Sequence, residues 1–440
     1  MDQEFATSFL YFSVPLIVSV FMLYLTASQV HIKRTERREQ ELRILNDMIF
    51  KERHIYSEKA LELYKKHYKD DDAVCKKMIG KKNKWDCHIV SKYKWMAEYK
   101  EDMVIPLKKI KINYDPDVWS TDNNLKMRLQ YSVGSTGVKL PFNKLSFTEN
   151  VKALSGRYIP NEFIYGLTGV KVNEEGMTLD VNMGKFSDAF DTCDFMTYEI
   201  SHRLHYGRKL PKDMSLSDFP YRSRMDPFLM KNRFAGIRVC TLTILKNFEG
   251  EDRTVFLMQR RMSKVNEGTE VFNVVPAGSY KPIFIENVSD PDAEGTKKIN
   301  IDPINTVIRE FLEEVADNES YENLSSKKIL LQKRREIYAD IFFLGVGFEP
   351  LNLRAELLTC MVVDVQMSHI FEGHMTYEGF KEHLAKTFGG TVIMRDFTVH
   401  DLEQYSDNLR SVPACREILE FAVDHHEELC DMKVTNNMNS

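Results

Sequence analysis

The sequence predicts an α+β protein: a mixed sheet flanked by helices, preceded by an N-terminal transmembrane helix and a small α+β subdomain. Three observations carry this expectation. Phe5 to Ile32 contains no Asp, Glu, Lys or Arg and is long enough to span a bilayer as a helix. Apolar, β-rich runs recur at 235–246, 254–261, 271–278, 339–348 and 356–366. Between the third and fourth lies a helical pattern, Ile304, Val307, Ile308, Phe311, Leu312 and Val315, opened by Asp302-Pro303 as N-cap and first helical residue.

Taken in order, these elements divide the chain into 1–32 (anchor), 33–112 (basic helical juxtamembrane region), 113–232 (small α+β subdomain) and 233–430 (main domain). The residues before the apolar run, Met-Asp-Gln-Glu, are acidic, and the run is too long for a signal-peptide core. Lys33, Arg34, Arg37 and Arg38 follow it at once, so the positive-inside bias places 33–440 in the cytoplasm of a single-pass membrane protein. Residues 36–68 read as helix with Leu42, Leu45 and Ile49 at heptad-like spacing, too short a repeat for a coiled coil. Lysines then crowd 65–84, either as a solvated stalk or as a lipid-facing stretch. Trp85, Trp95 and Tyr99 suit a membrane interface or a core equally. In 113–232, alternating segments at 127–133 and 177–182 suggest short strands, and no catalytic motif appears.

Composition narrows the function. A net charge of −5 over 440 residues argues against a dedicated nucleic-acid binder. Seven cysteines without a Cys-x-x-Cys or zinc spacing imply a reduced compartment. His202 with His205, and His425 with His426, lack companion ligands and read as surface residues.

The densest chemistry is Arg309-Glu310-Phe311-Leu312-Glu313-Glu314. Its three carboxylates stand at i, i+3 and i+4, which an α-helix places on one face, with Asp317 a turn further. A solvated helix face is the ordinary alternative. Clustered hard oxygen ligands also suit Mg²⁺ or Mn²⁺.

With the strand order around it, this hexad resembles the box of the Nudix hydrolase family. That box reads Gly, five residues, Glu, seven residues, Arg-Glu-apolar-x-Glu-Glu, one residue, Gly, apolar. Gly278 matches the opening Gly and Arg309 to Glu314 the central hexad. The spacing between them is about 17 residues too long, no Glu stands eight positions before Arg309, and Ala316 and Asp317 replace the closing Gly and apolar residue. The resemblance covers roughly 230–400 and implies a Nudix-like mixed sheet. It implies a metal-dependent hydrolase that cleaves a diphosphate bond in a nucleoside diphosphate derivative, and the N-terminal span makes this a membrane-anchored enzyme. On this reading Glu310, Glu313 and Glu314 hold Mg²⁺ (or Mn²⁺), Glu314, Glu313 and Arg309 are catalytic, and Gly278 lines the ligand site. Glu349 or Glu356 serves as a separate base. The altered frame leaves open a catalytically inactive binding or regulatory module held at the membrane. The expected partners are a nucleoside diphosphate-type small molecule and lipids contacted by residues 5–32 and the basic stretch, with no nucleic acid; the substrate and oligomeric state are not specified.

Overall fold

The computed structural model describes residues 3–68, 88–96, 105–119, 136–140, 145–155, 159–174, 176–209, 211–262, 270–284, 299–316 and 327–438. The expected 127–133 strand, Lys69 to Lys84, Trp85, Tyr99, Asp317 and most of the insertion before the acidic helix lie outside them.

Helix α1 spans Gln3–His67 and is kinked at one non-helical residue, Glu52 (φ −119°, ψ 19°). The residues expected to form a heptad, Leu42, Leu45 and Ile49, are buried on the body of the same chain, and Tyr56, Ala60 and Tyr64 continue the stripe. So the apolar repeat is an intramolecular packing face. Burial of Leu42, Leu45 and Ile49 contributes about 1.5–3 kcal/mol of transfer free energy each.

The transmembrane expectation is corrected here. Among the described residues no helix is long and apolar enough to cross a membrane. The side chains of residues 1–17 lie outside the described set. Val18–Ile32 stand on the same helix as the charged stretch from Lys33. The anchor, the single-pass topology, the lipid partners and the cytoplasmic placement inferred from them are therefore withdrawn.

The sheet has strands β1 (Ile105–Pro106), β2 (Lys111–Val118), β3 (Phe163–Asn173), β4 (Gly176–Lys185), β5 (Ala235–Lys246), β6 (Val255–Met262), β7 (Glu270–Val274), β8 (Ala277–Ser279), β11 (Ala339–Phe348), β12 (Ala355–Asp364) and β13 (Val392–Asp396). A separate two-stranded ladder joins β9 (Ile283–Phe284) and β10 (Ile299–Asn300). The main path is β1-β11-β12-β5-β3-β4-β2, with β6 bridging β5, β7 and β13, and β8 on β5. The sheet is mixed: β12 with β5 and β2 with β4 are parallel, and the remaining pairs are antiparallel. The ladder between β3 and β5, Gly166↔Gly236 and Leu167↔Ala235, joins strands of the 113–232 region to those after 233 in one sheet.

Around it stand α2 (Phe147–Ser155), α3 (Phe195–Tyr206), α4 (Pro303–Phe311), α5 (Lys327–Glu336), α6 (Tyr377–Phe388), α7 (Val399–Ser406) and α8 (Pro413–Asp424). Strands β11 and β12 are buried at every position, as their near-continuous apolar sequences require. On β5 the alternation separates two cores: Ile237 and Val239 join Ile304, Val307, Ile308 and Phe311 of α4, whereas Cys240, Leu242 and Ile244 join Ala414, Cys415 and Ile418 of α8. The run expected as one strand over 271–278 is two, β7 and β8. Pro276, which has no N–H for a ladder, falls in the break between them.

Candidate functional site

Helix α4 starts as the sequence predicts. Asp302 Oδ1 accepts from Ile304 N at 3.0 Å and Pro303 occupies the first turn. It does not finish as predicted. From Leu312 to Ala316 the helix widens to π geometry. The i, i+3, i+4 spacing therefore no longer stacks the three carboxylates on one α-helical edge.

Each carboxylate has its own environment. Arg309 is fully buried, and its guanidinium donates to Glu310 Oε1 at 2.6 Å and to Ser279 O at 3.1 Å. Glu313 Oε1 lies 3.6 Å from Arg309 Nε. Glu314 Oε2 accepts from Ala277 N at 2.8 Å. Glu310 packs against Gly278: a Cβ there would meet Glu310 Oε2 at 1.9 Å. Gly278 is thus required by a close approach. Burial, and after it the neighbouring charge of Glu310, pushes the Glu313 carboxyl up to about 7.

The structure brings together Gly278, Arg309, Glu310, Glu313 and Glu314, but as a locking arrangement between α4 and β8. Among the described residues no group of three His, Cys, Asp or Glu side chains could hold a metal ion. The reason is visible in the donors: Glu310 is neutralised by Arg309 and Glu314 is taken by a backbone N–H. These residues as they stand do not fit a three-carboxylate Mg²⁺ site.

The other face of β8 meets a cavity of about 490 Å³, lined by residues of α1, the helical segment Phe186–Asp194, α3, β5, β7, β12 and the start of α8. Ala277, Gly278 and Ser279 form part of its wall, so β8 is shared by the carboxylate cluster and the cavity. The polar lining consists of three guanidinium–carboxylate pairs. Arg238 faces Glu356 Oε1 at 3.3 Å, and the Cys240 thiol donates to the second oxygen at 3.1 Å. Arg354 donates to Asp194 Oδ2 at 2.6 Å and stacks 4.4 Å over the Phe186 ring. Arg53 lies 3.7 Å from Glu349, which also accepts from Ser57 Oγ at 2.9 Å and Asn352 N at 3.1 Å. Burial raises the Glu356 carboxyl despite the opposing Arg238 charge.

Two further polar atoms at this wall have no hydrogen-bond partner among the described residues: Asn273 Oδ1 and Thr197 Oγ1, on residues 1 % and 3 % exposed. Each such buried, unmade hydrogen bond costs about 1–3 kcal/mol. Glu349 and Glu356, expected as a separate base, therefore line the cavity and not the α4 edge. Sequence reasoning passes over Asn273, Thr197, Asp194 and the arginines. Arg238 leaves a trace: it is the one charge between Ala235 and Leu245, inside an otherwise apolar strand.

No family model matches the chain, and no curated protein matches it. The Nudix assignment is therefore withdrawn, and with it both the membrane-anchored Nudix-like hydrolase and its inactive Nudix-like alternative. The assignment rests on one glycine and one hexad set in a frame of the wrong length. The structure gives the hexad a sufficient packing role of its own: Arg309 ties α4 to β8 through Ser279 O, and Glu314 does so through Ala277 N. Trp95 is settled as well. It is buried against Phe228 and Phe348, in the core and not at an interface.

Proposed function

We propose that this chain binds a small polar organic molecule in the cavity bounded by α1, β5, β7, β12 and α8. The observation that carries this is the pair of orphaned atoms, Asn273 Oδ1 and Thr197 Oγ1, at the wall of a roomy cavity. A ligand N–H or O–H reaching Asn273 would supply the missing donor. The cavity volume suits a molecule of metabolite size. Phe186, Phe190 and Val412 offer it an apolar side, while the three guanidinium–carboxylate pairs fix orientation. The test is thermal unfolding of the full chain against a panel of nucleosides, sugars, amino acids and their phosphorylated forms, on wild type and Asn273→Leu. A ligand at 100 times its Kd stabilises by about 2.7 kcal/mol, or about 3 °C in Tm for a chain of this length. We expect at least one class to raise the wild-type Tm and to lose that effect in Asn273→Leu. No shift from any class, or an equal shift in both proteins, overturns the proposal.

A further inference from the structure

A smaller pocket of about 190 Å³ adjoins the cavity, and the two share Arg53, Val271, Val412 and Pro413 as lining. Its polar lining, which includes Ser57, Glu58 and Ser411, is mostly basic. Lys51, Arg53 and His54 come from α1, on either side of the helix break at Glu52, and Arg410 comes from the turn before α8. The one carboxylate in this wall, Glu58, is engaged at 2.5 Å by Arg416. Arg53 has only the 3.7 Å approach to Glu349, whose two oxygens already accept shorter hydrogen bonds from Ser57 and Asn352. Two full positive charges, Lys51 and Arg410, thus line a concave site beside Arg53, whose acid lies in the inner cavity, and the one carboxylate of this lining is already engaged. The inner cavity differs: there every guanidinium faces an acid.

We infer that this outer pocket is an oxyanion subsite, so that the ligand of the inner cavity carries a phosphate ester or carboxylate at its outer end. The inference rests on the cavity being the ligand site and adds the chemistry of one end of the ligand. The charge pattern gives the ligand a direction: an anionic group among Lys51, Arg53 and Arg410, and a hydrogen-bond donor toward Asn273 Oδ1. Arg53 lines both pockets and would answer both parts. Guanidinium and ammonium groups recognise phosphate and carboxylate oxygens alike, so the two sources share one chemistry.

The probe is inorganic phosphate, with acetate in a parallel arm, titrated into the full chain and compared with chloride at equal ionic strength. Binding is read by calorimetry and by Tm. The variants are Lys51→Gln with Arg410→Gln, both exposed positions whose loss leaves the fold intact, and Asn273→Leu as the inner-cavity control. We expect phosphate to bind wild type with an affinity at least tenfold above that of the double variant, and to bind Asn273→Leu as it binds wild type. Saturation by acetate as well identifies a general oxyanion subsite; phosphate alone identifies a phosphate ester. Equal phosphate binding by wild type and the double variant, or no binding of either anion above the chloride control, overturns the inference. Those outcomes are distinct from failure of the cavity reading, which appears as insensitivity of the metabolite panel to Asn273→Leu.

Discussion

Replacing Gly278 with Ala tests the account of the Arg309–Glu314 segment as a lock between α4 and β8. The new Cβ would sit 1.9 Å from Glu310 Oε2, 2.1 Å from its Cδ and 2.4 Å from Oε1, so the carboxylate must move. The far end of a Glu side chain can move, but here it is held at 2.6 Å by a guanidinium that is fully buried. Displacing it leaves Arg309 with Ser279 O and the longer 3.6 Å approach of Glu313. Breaking a buried ion pair by losing one partner costs about 3–5 kcal/mol. Partial compensation from Glu313 brings the expectation to about 2–4 kcal/mol, measured by urea unfolding. The assay that isolates the cause is a double-mutant cycle with Glu310→Ala. That substitution alone should destabilise by about 3 kcal/mol, because it strips the same partner from Arg309. In its background there is no carboxylate for the added methyl to strike, so Gly278→Ala should then cost under about 1 kcal/mol. Additive costs in the cycle would refute the mechanism and place the need for glycine elsewhere.

Other expectations follow from the same geometry. The Glu313 carboxyl is raised to about 7 against an ordinary 4.5, so the folded state binds its proton more tightly than the unfolded one. The stability it contributes is full below pH 4.5 and is lost as pH rises through 7; with solvent screening the loss is on the order of 1–2 kcal/mol. Unfolding free energies from about pH 4.5 to 8 should fall less steeply in Glu313→Gln than in wild type, and identical slopes would contradict the assigned burial. Glu356→Gln should cost about 3 kcal/mol by urea unfolding, since it leaves Arg238 facing a neutral group in a buried site; a cost below about 0.5 kcal/mol would show the pair to be solvated. Ile308→Ala, at a fully buried α4 position, should cost about 2–5 kcal/mol, with its spread set by how far the core collapses. A near-neutral effect there would mean that α4 does not pack on β5.

Much of the fold is legible because it is written in local patterns. The runs at 235–246 and 339–348 are strands at the expected bounds, and the Asp302-Pro303 signal does start a helix. Periodicity fails where its assumed period fails. Placing the carboxylates of residues 310, 313 and 314 on one face assumes a 3.6-residue turn, and the helix changes to π geometry at Leu312. It also fails where a side chain's partner is distant in sequence. Nothing near Arg309 announces that Ser279 O will receive it, and nothing near Asn273 announces that its Oδ1 will be left without a donor.

The two halves of the site illustrate why charge density in a sequence is a poor guide to a binding surface. The acidic hexad carries four charges in six residues, yet two of its three carboxylates are consumed by an internal guanidinium and a backbone N–H. The cavity is built instead from charges dispersed over some three hundred residues, Arg53, Asp194, Arg238, Glu349, Arg354 and Glu356, brought together only by the ladder of β12 on β5 and the passage of α1 across them. Paired guanidinium and carboxylate groups buried in this way are costly relative to apolar packing of the same volume. In a body whose neighbouring cores are well filled by Leu, Ile, Val and Phe, a wall of such pairs around an open space, with orphaned amide and hydroxyl oxygens among them, is an arrangement that stability alone does not account for. A ligand accounts for it.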